Sequence, residues 1–198
     1  MTLPALFLAL ADLFDSPAAI EQQAAEALRT AAGKPDLPVL DADAPALAQP
    51  FLDIIAQADA HPVCALISQM PFHWAPPTTS DNPAYIAHSK AKIHAELLGP
   101  DGLVRSDKVR LGLYGMLPGA DYGLRTHLAE EVFIMLAGEA LWKRGNTPYL
   151  PARPTQRSYH PSGLPHATRT DRQAFLSVYV WSGDLTTDSY VYTGIPAD

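Results

Sequence analysis

The chain has 198 residues, with 14 basic and 21 acidic side chains, a formal charge of −7 and 47% apolar content. That length and composition suit one domain with a sizeable core, and the 18% charged fraction argues against disorder. The net acidity argues against a nucleic-acid partner, the single cysteine (Cys64) excludes a disulfide framework or a multi-cysteine zinc site, and no apolar run is long enough to span a membrane.

Residues 3–14 are apolar enough to suggest a leader, but they lack a basic start, and Asp12 and Asp15 interrupt them. Leu6, Leu10, Leu13 and Phe14 recur at helical spacing, which predicts an amphipathic helix and a cytoplasmic protein. Ser16-Pro17 predicts the cap of a second helix running to Ala32, with Gly33 as its stop. Pro35, Pro38, Pro45 and Pro50 make residues 33–50 an extended connector. Phe51–Ala60 and Val63–Gln69 read as short helices, and Pro71–Pro83 as a loop. Asn82-Pro83 predicts one more helix, to about Leu98, stopped by Gly99.

Beyond Pro100 the texture changes. Residues 1–99 hold 4 basic and 11 acidic side chains, whereas residues 100–198 hold 10 of each. This predicts a helical segment over 1–99 packing on a strand-rich unit over 100–198. Val109–Tyr114 alternates as a strand does, and Pro118-Gly119 is a turn. Glu131–Trp142 predicts two strands joined at Ala137-Gly138. Phe175, Ser177, Tyr179 and Trp181 share one face of a further strand, and Ser189–Thr193 is the last. Short strands with regular turn signals predict a sandwich or barrel.

Two stretches carry ligand chemistry. In the first, Gly119, His127, Glu131 and Gly138 stand at fixed intervals; in the second, Pro161, Gly163 and His166 do. Two imidazoles and a carboxylate form a facial set that leaves coordination positions open, suited to iron, zinc, manganese or nickel. The bland alternative is an i,i+4 helical pair, His127 with Glu131, and an unrelated loop histidine. Arg125 cannot ligate a metal. It is either a bidentate partner for a substrate carboxylate or a rim residue paired with Glu130 or Asp121.

These two stretches resemble the paired signature motifs of the cupin superfamily. The fold class implied is mainly β: a single cupin β-barrel (double-stranded β-helix) preceded by α-helices. Tyr122, the run His127–Val132, Trp142 and the run His160–Arg169 make the chain similar to the bacterial cupin-type dimethylsulfoniopropionate (DMSP) lyases. That resemblance implies β-elimination of a small zwitterionic substrate to dimethyl sulfide and acrylate. It implies His127, Glu131 and His166 as ligands of a divalent transition metal and Tyr122 as a catalytic pocket tyrosine; Arg125 is the chain's own candidate for the nearby charge that a phenol needs to ionise. The family usually has His where Arg125 stands and a metal-near Tyr where Phe133 stands. Tyr122 is then either the base or a packed core phenol.

A sulfonium favours aromatic faces, which makes Trp142, Trp181, Tyr179 and Trp74 candidates. Tyr159 and His160 are expected at the mouth, with His160 read as a group supporting the ligands or facing solvent rather than as a ligand, and His61, His73, His88 and His94 are read as ordinary helix or loop residues. Two other readings stay open: another metal-dependent cupin enzyme, such as an Fe(II) dioxygenase or an isomerase, and a cupin that binds a small carboxylate without chemistry. Helical surfaces leave room for a homodimer.

Overall fold

The structure is a computed structural model and describes residues 2–196. Five helices come first: α1 Leu3–Leu13, α2 Ala19–Ala32, α3 Gln49–Ile55, α4 Cys64–Ile67 and α5 Pro83–Ser89. Eleven strands follow: β1 Lys92–Gly99, β2 Val104–Arg105, β3 Arg110–Met116, β4 Asp121–Thr126, β5 Glu130–Gly138, β6 Ala140–Arg144, β7 Leu150–Ala152, β8 Arg157–His160, β9 His166–Arg169, β10 Phe175–Ser182 and β11 Val191–Gly194. They form a six-stranded sheet in the order β2-β1-β3-β10-β5-β8 and a five-stranded sheet in the order β11-β4-β9-β6-β7. The fold is mainly β with N-terminal helices, as the two motifs implied.

Thr2 caps α1 by accepting a hydrogen bond from the Ala5 amide (3.4 Å). Leu3, Leu6, Phe7, Leu10 and Ala11 bury one stripe of that helix, as the spacing predicts. The cap of α2 is Ala18 rather than Ser16, whose hydroxyl instead accepts from the Ala18 amide (3.2 Å). Ile20, Ala24, Ala25, Leu28 and Ala31 face inward from α2.

Side chains alternate across a strand, so each strand of the six-stranded sheet serves two cores. Leu176, Val178 and Val180 of β10, Val132, Ile134 and Leu136 of β5, and Leu111 and Leu113 of β3 join the helices in one aliphatic core. Phe175, Tyr179 and Trp181 of β10, Phe133 and Met135 of β5, and Tyr114 and Met116 of β3 point the other way. There they meet Tyr122, Ala140, Trp142 and Tyr192 of the five-stranded sheet in a second, aromatic core. The helices therefore back the outer face of one sheet, and the barrel interior lies on its far side. Arg157 of β8 fastens α2 down through buried Glu21 (2.9 Å) and also donates to the Leu13 carbonyl (2.8 Å). Gly138, with φ 71°, turns β5 into β6; a Cβ there would stand 2.1 Å from the Ala174 carbonyl oxygen.

One expected element is replaced. The helix predicted from Asn82 to about Leu98 ends at Ser89, and Lys92–Gly99 is β1, paired antiparallel with β3. The strand-rich part thus begins before the composition change at Gly99-Pro100. The cause is a period-two pattern with its polar half turned inward. Ile93, Ala95 and Leu97 join the helix-side core, whereas Lys92, His94 and Glu96 occupy the alternate positions. Among the described residues no helix is long and apolar enough to cross a membrane.

Candidate metal centre and substrate cleft

His127 follows β4 directly, Glu131 lies on β5 and His166 opens β9. The two motif loops are tied together by the Gly163 amide, which donates to the His127 carbonyl (2.8 Å). Gly163 itself has φ 74°, a tight-turn conformation that glycine adopts without strain. Candidate ligand atoms of the three side chains lie within 4.8 Å of one another, and all three residues are buried. The Nε2 atoms of His127 and His166 stand 3.6 Å and 3.1 Å from Glu131 Oε2. The helical i,i+4 alternative does not hold, because the pair sits at a strand-to-strand corner.

Both histidines are oriented through Nδ1. That of His127 faces the Ala129 carbonyl (3.1 Å), and that of His166 faces the Leu164 carbonyl (2.8 Å). A carbonyl only accepts, so each Nδ1 carries the proton and each Nε2 presents a lone pair. Neither Nε2 has a hydrogen-bond partner although both are buried. Two orphaned imidazole nitrogens and a carboxylate converging on one point suit a divalent cation. The three side chains can therefore hold a metal.

Glu131 is itself held in place. Trp181 Nε1 donates to its Oε1 (2.6 Å), and His160 Nδ1 donates to its Oε2 (2.8 Å). Burial works to raise the Glu131 carboxyl, but the three imidazoles gathered around it, those of His127, His160 and His166, outweigh it and hold the group well below the usual carboxylate range. Burial holds His166 well below the ordinary imidazole value, with Arg125 and His160 adding to the effect. It lowers His160 as well, with Glu131 opposing.

The other expected site residues divide. Arg125 of β4 is only 2% exposed and forms no rim ion pair with Glu130 or Asp121. Its Nη2 reaches Thr168 Oγ1 (3.4 Å), its Nη1 has no hydrogen-bond partner, and its Cζ lies 3.7 Å from the Tyr122 ring centre. Tyr122 is buried, and its hydroxyl pairs with that of Tyr190 (2.6 Å). Burial pushes the Tyr122 hydroxyl well up, Tyr190 and Tyr85 add to this, and Arg125 opposes it.

Trp181 stacks on His127 at 4.3 Å. Trp142 lies deeper, between Phe133 (4.6 Å) and His160 (5.1 Å). Tyr179 pairs through its hydroxyl with His94 Nε2 (2.7 Å). His160, expected at the mouth, is completely buried and stacked on His166 at 4.1 Å. Tyr159 is 41% exposed, on the outer side of β8, and donates to Glu130 (2.8 Å). Trp74 packs with the helix-side core.

A narrow cleft of about 50 Å³ opens onto this interior, lined by His94, Glu96, Arg110, Tyr114, Tyr122, Arg125, Glu131, Phe133, Tyr179 and Trp181, with Pro77 and Thr79 from the loop before α5. Two inward residues of β1, His94 and Glu96, thus line the cleft, and sequence reasoning missed them. Burial lowers His94 to about 4, helped by Arg110. The signal that would have found these residues is the alternation Lys92, His94, Glu96. A wider groove beside α2, lined by exposed Glu26, Lys34, Arg105, Asp107 and Lys108, gathers no comparable buried set.

The chain matches the DMSP lyase family model over residues 16–177. Over 91 residues it is 38% identical to the dimethylsulfoniopropionate lyase DddQ of Ruegeria pomeroyi; that stretch is 46% of this chain and 45% of the relative, so it spans less than half the relative's length. The crystal structure of DddQ from the same organism superposes with TM-score 0.64 at 26% identity, covering 96% of this chain and 94% of that one. A chain from the crystal structures of the DMSP lyases RdDddP and RnDddQII gives TM-score 0.62 at 26% identity, covering 97% and 100%.

Proposed function

Because this chain belongs to the DMSP lyase family, we propose that it cleaves dimethylsulfoniopropionate to dimethyl sulfide and acrylate, acting as a carbon–sulfur lyase. The observation that carries this reading is a metal-competent triad whose Glu131 lines an aromatic cleft together with a buried guanidinium whose Nη1 has no partner. The substrate is a zwitterion with a carboxylate at one end and a sulfonium at the other. Arg125 suits the carboxylate, because a buried guanidinium gains most from a bidentate anion. The faces of Tyr179, Trp181 and Phe133 suit the sulfonium through cation–π attraction.

Tyr122 takes the role of base. It removes the proton beside the carboxylate, the electrons of that C–H bond form the new double bond, and the C–S bond breaks with its pair going to sulfur. The leaving group is then a neutral thioether. Burial of the reacting atoms keeps water from competing for the proton. A divalent transition ion held by His127, Glu131 and His166 would supply charge stabilisation for the carboxylate as negative charge develops beside it. His160, Trp181 and the two loop carbonyls keep the three ligands in their productive rotamers and tautomers. Zinc, iron, manganese and nickel all suit this donor set. A cytoplasmic location belongs to the same reading and agrees with a single, buried, free Cys64.

Acrylate release from DMSP by the metal-loaded protein tests the reading. It should be abolished in His127→Ala, Glu131→Ala and His166→Ala, and normal turnover by any of them contradicts the role of the triad. Phe133 supports a second reading, since it cannot carry a proton at a position the family usually fills with tyrosine. In that reading the chain binds a small carboxylate without turning it over. Tight binding of acrylate or propionate by the metal-loaded protein, with no dimethyl sulfide formed, selects it.

A further inference from the structure

Lys92 enters the barrel interior at the start of β1, where it pairs with Met116 and points to the same side as His94 and Glu96. It is only 2% exposed. Its Nζ lies 3.4 Å from the centre of the Tyr122 ring and 5.0 Å from that of Tyr85. Its hydrogen-bond partner is the Ser89 hydroxyl at the end of α5 (3.5 Å). Arg125 presses on the same Tyr122 ring. Among the described residues, no carboxylate lies within ion-pairing distance of either Lys92 or Arg125.

Buried cations without a counter-charge are strongly disfavoured. One group is in contact with both and can become an anion: the Tyr122 phenol. Its hydroxyl already has a short partner in Tyr190, which can donate to an oxyanion more strongly than to a neutral oxygen. We infer that Lys92 is the positioning residue of the base: Lys92 and Tyr122 form one coupled acid–base pair in which the ammonium and the Arg125 guanidinium together hold Tyr122 as its phenolate, with Tyr190 donating to it. This inference rests on the reading of Tyr122 as the base.

The neutral pair and the ion pair contain the same number of protons, so moving between them requires no net uptake or release. Burial alone drives both members neutral, lowering Lys92 to about 6 with help from Arg125, and raising Tyr122. The attraction of one anion to two adjacent cations in a dry interior opposes that drive. The other titratable or charged groups facing the pair are Tyr85 and His88 of α5, Tyr114 of β3, and Tyr190 and Tyr192 on the chain entering β11. Glu131 of β5 also acts on Arg125, but its oxygens are taken by Trp181 and His160, and it makes no ion pair with Lys92. The arrangement also accounts for a base working without a tyrosine at position 133.

The test is phenolate absorbance in the near ultraviolet, read alongside the pH dependence of turnover. The wild-type protein should show about one phenolate per chain at neutral pH, below the usual tyrosine value near 10, and Tyr122→Phe should lack it. Lys92→Met should lose that signal and move its midpoint up by at least about one unit, with turnover falling about tenfold or more at neutral pH, KM nearly unchanged, and recovery as pH rises. Lys92→Arg should restore the signal. Lys92→Gln repeats the measurement if the methionine variant folds poorly. A wild-type spectrum with no neutral-pH phenolate, or one that Lys92→Met leaves unaltered, overturns the inference. A Lys92-dependent phenolate in a protein that releases no acrylate supports this inference while contradicting the lyase reading.

Discussion

The two faces of the six-stranded sheet are built on the same strands but obey different rules. On the helix side, Leu111, Leu113, Val132, Ile134, Leu176 and Val178 meet aliphatic side chains of α1, α2 and α3. Nothing there needs a hydrogen bond, and stability follows from area removed from water. On the barrel side the same strands present Tyr114, Glu131, Phe133, Tyr179 and Trp181 to Arg125, His127 and His166. Here several buried polar atoms have no partner: Nε2 of both triad histidines, Arg125 Nη1 and Trp142 Nε1. A folded protein retains such atoms where something else supplies their partners. One face therefore makes the molecule stable, and the other holds polar groups in readiness for an ion and a substrate.

Substitutions on the two faces should separate in kind as well as in size. The largest effect belongs to the barrel side: Glu131→Ala should remove bound metal and bring acrylate release to background, with the fold retained by circular dichroism. Arg125→Met should raise KM for DMSP by roughly ten- to a hundredfold, the scale of a lost charged hydrogen bond, and should lower kcat as well, because the same guanidinium faces the Tyr122 ring. His160→Gln alters the contacts to Glu131, Ser158, His166 and Trp142, and should weaken metal binding by about ten- to a hundredfold in a competition titration. Leu176→Ala, on the helix side, should lower unfolding free energy by about 2–5 kcal/mol in denaturant titrations while leaving kcat of the folded protein unaltered. A large loss of kcat from Leu176→Ala would break the division between the faces.

The smallest effect is on pH dependence without metal. Burial holds His160 and His166 below the ordinary imidazole value of 6.5. The unfolded chain takes up protons there that the folded chain refuses, so it binds more protons across that window. Stability of the metal-free protein should rise with pH through 6.5 and fall below it. Glu131, held low, acts in the same direction at more acidic pH, because protonating it removes an interaction the fold depends on. Thermal melts on either side of that value, compared with a His166→Leu variant, measure the effect; a flat profile in both contradicts it.

The helix-side face was largely legible in the sequence, and the site only partly. Phe175, Ser177, Tyr179 and Trp181 alternate so cleanly with aliphatic residues that β10 and its two faces were readable directly. The glycine frame around His127, Glu131 and His166 was readable too, because a tight turn and a ligand spacing both leave fixed intervals. β1 was not. Its inward residues are Lys92, His94 and Glu96, which a sequence reader assigns to solvent, and its composition suits a helix. An inverted pattern of this kind arises where a strand faces a functional interior instead of a dry one. For His160 the sequence left two places open, behind the ligands or facing solvent, because adjacency to a motif says nothing about which side of β8 a residue faces. Ser158 and His160 point in, and Tyr159 points out. The orphaned Nε2 atoms and the cation pair on Tyr122 arise from tertiary contacts, and no local spacing announces them.

The most direct measurement is a titration of the purified, metal-stripped protein with a divalent transition ion, followed by elemental analysis. The wild-type chain should bind one ion, and His127→Ala, Glu131→Ala and His166→Ala should each lose it while keeping a folded spectrum. An ion bound equally well by all four proteins would contradict the assignment of that centre to these three side chains.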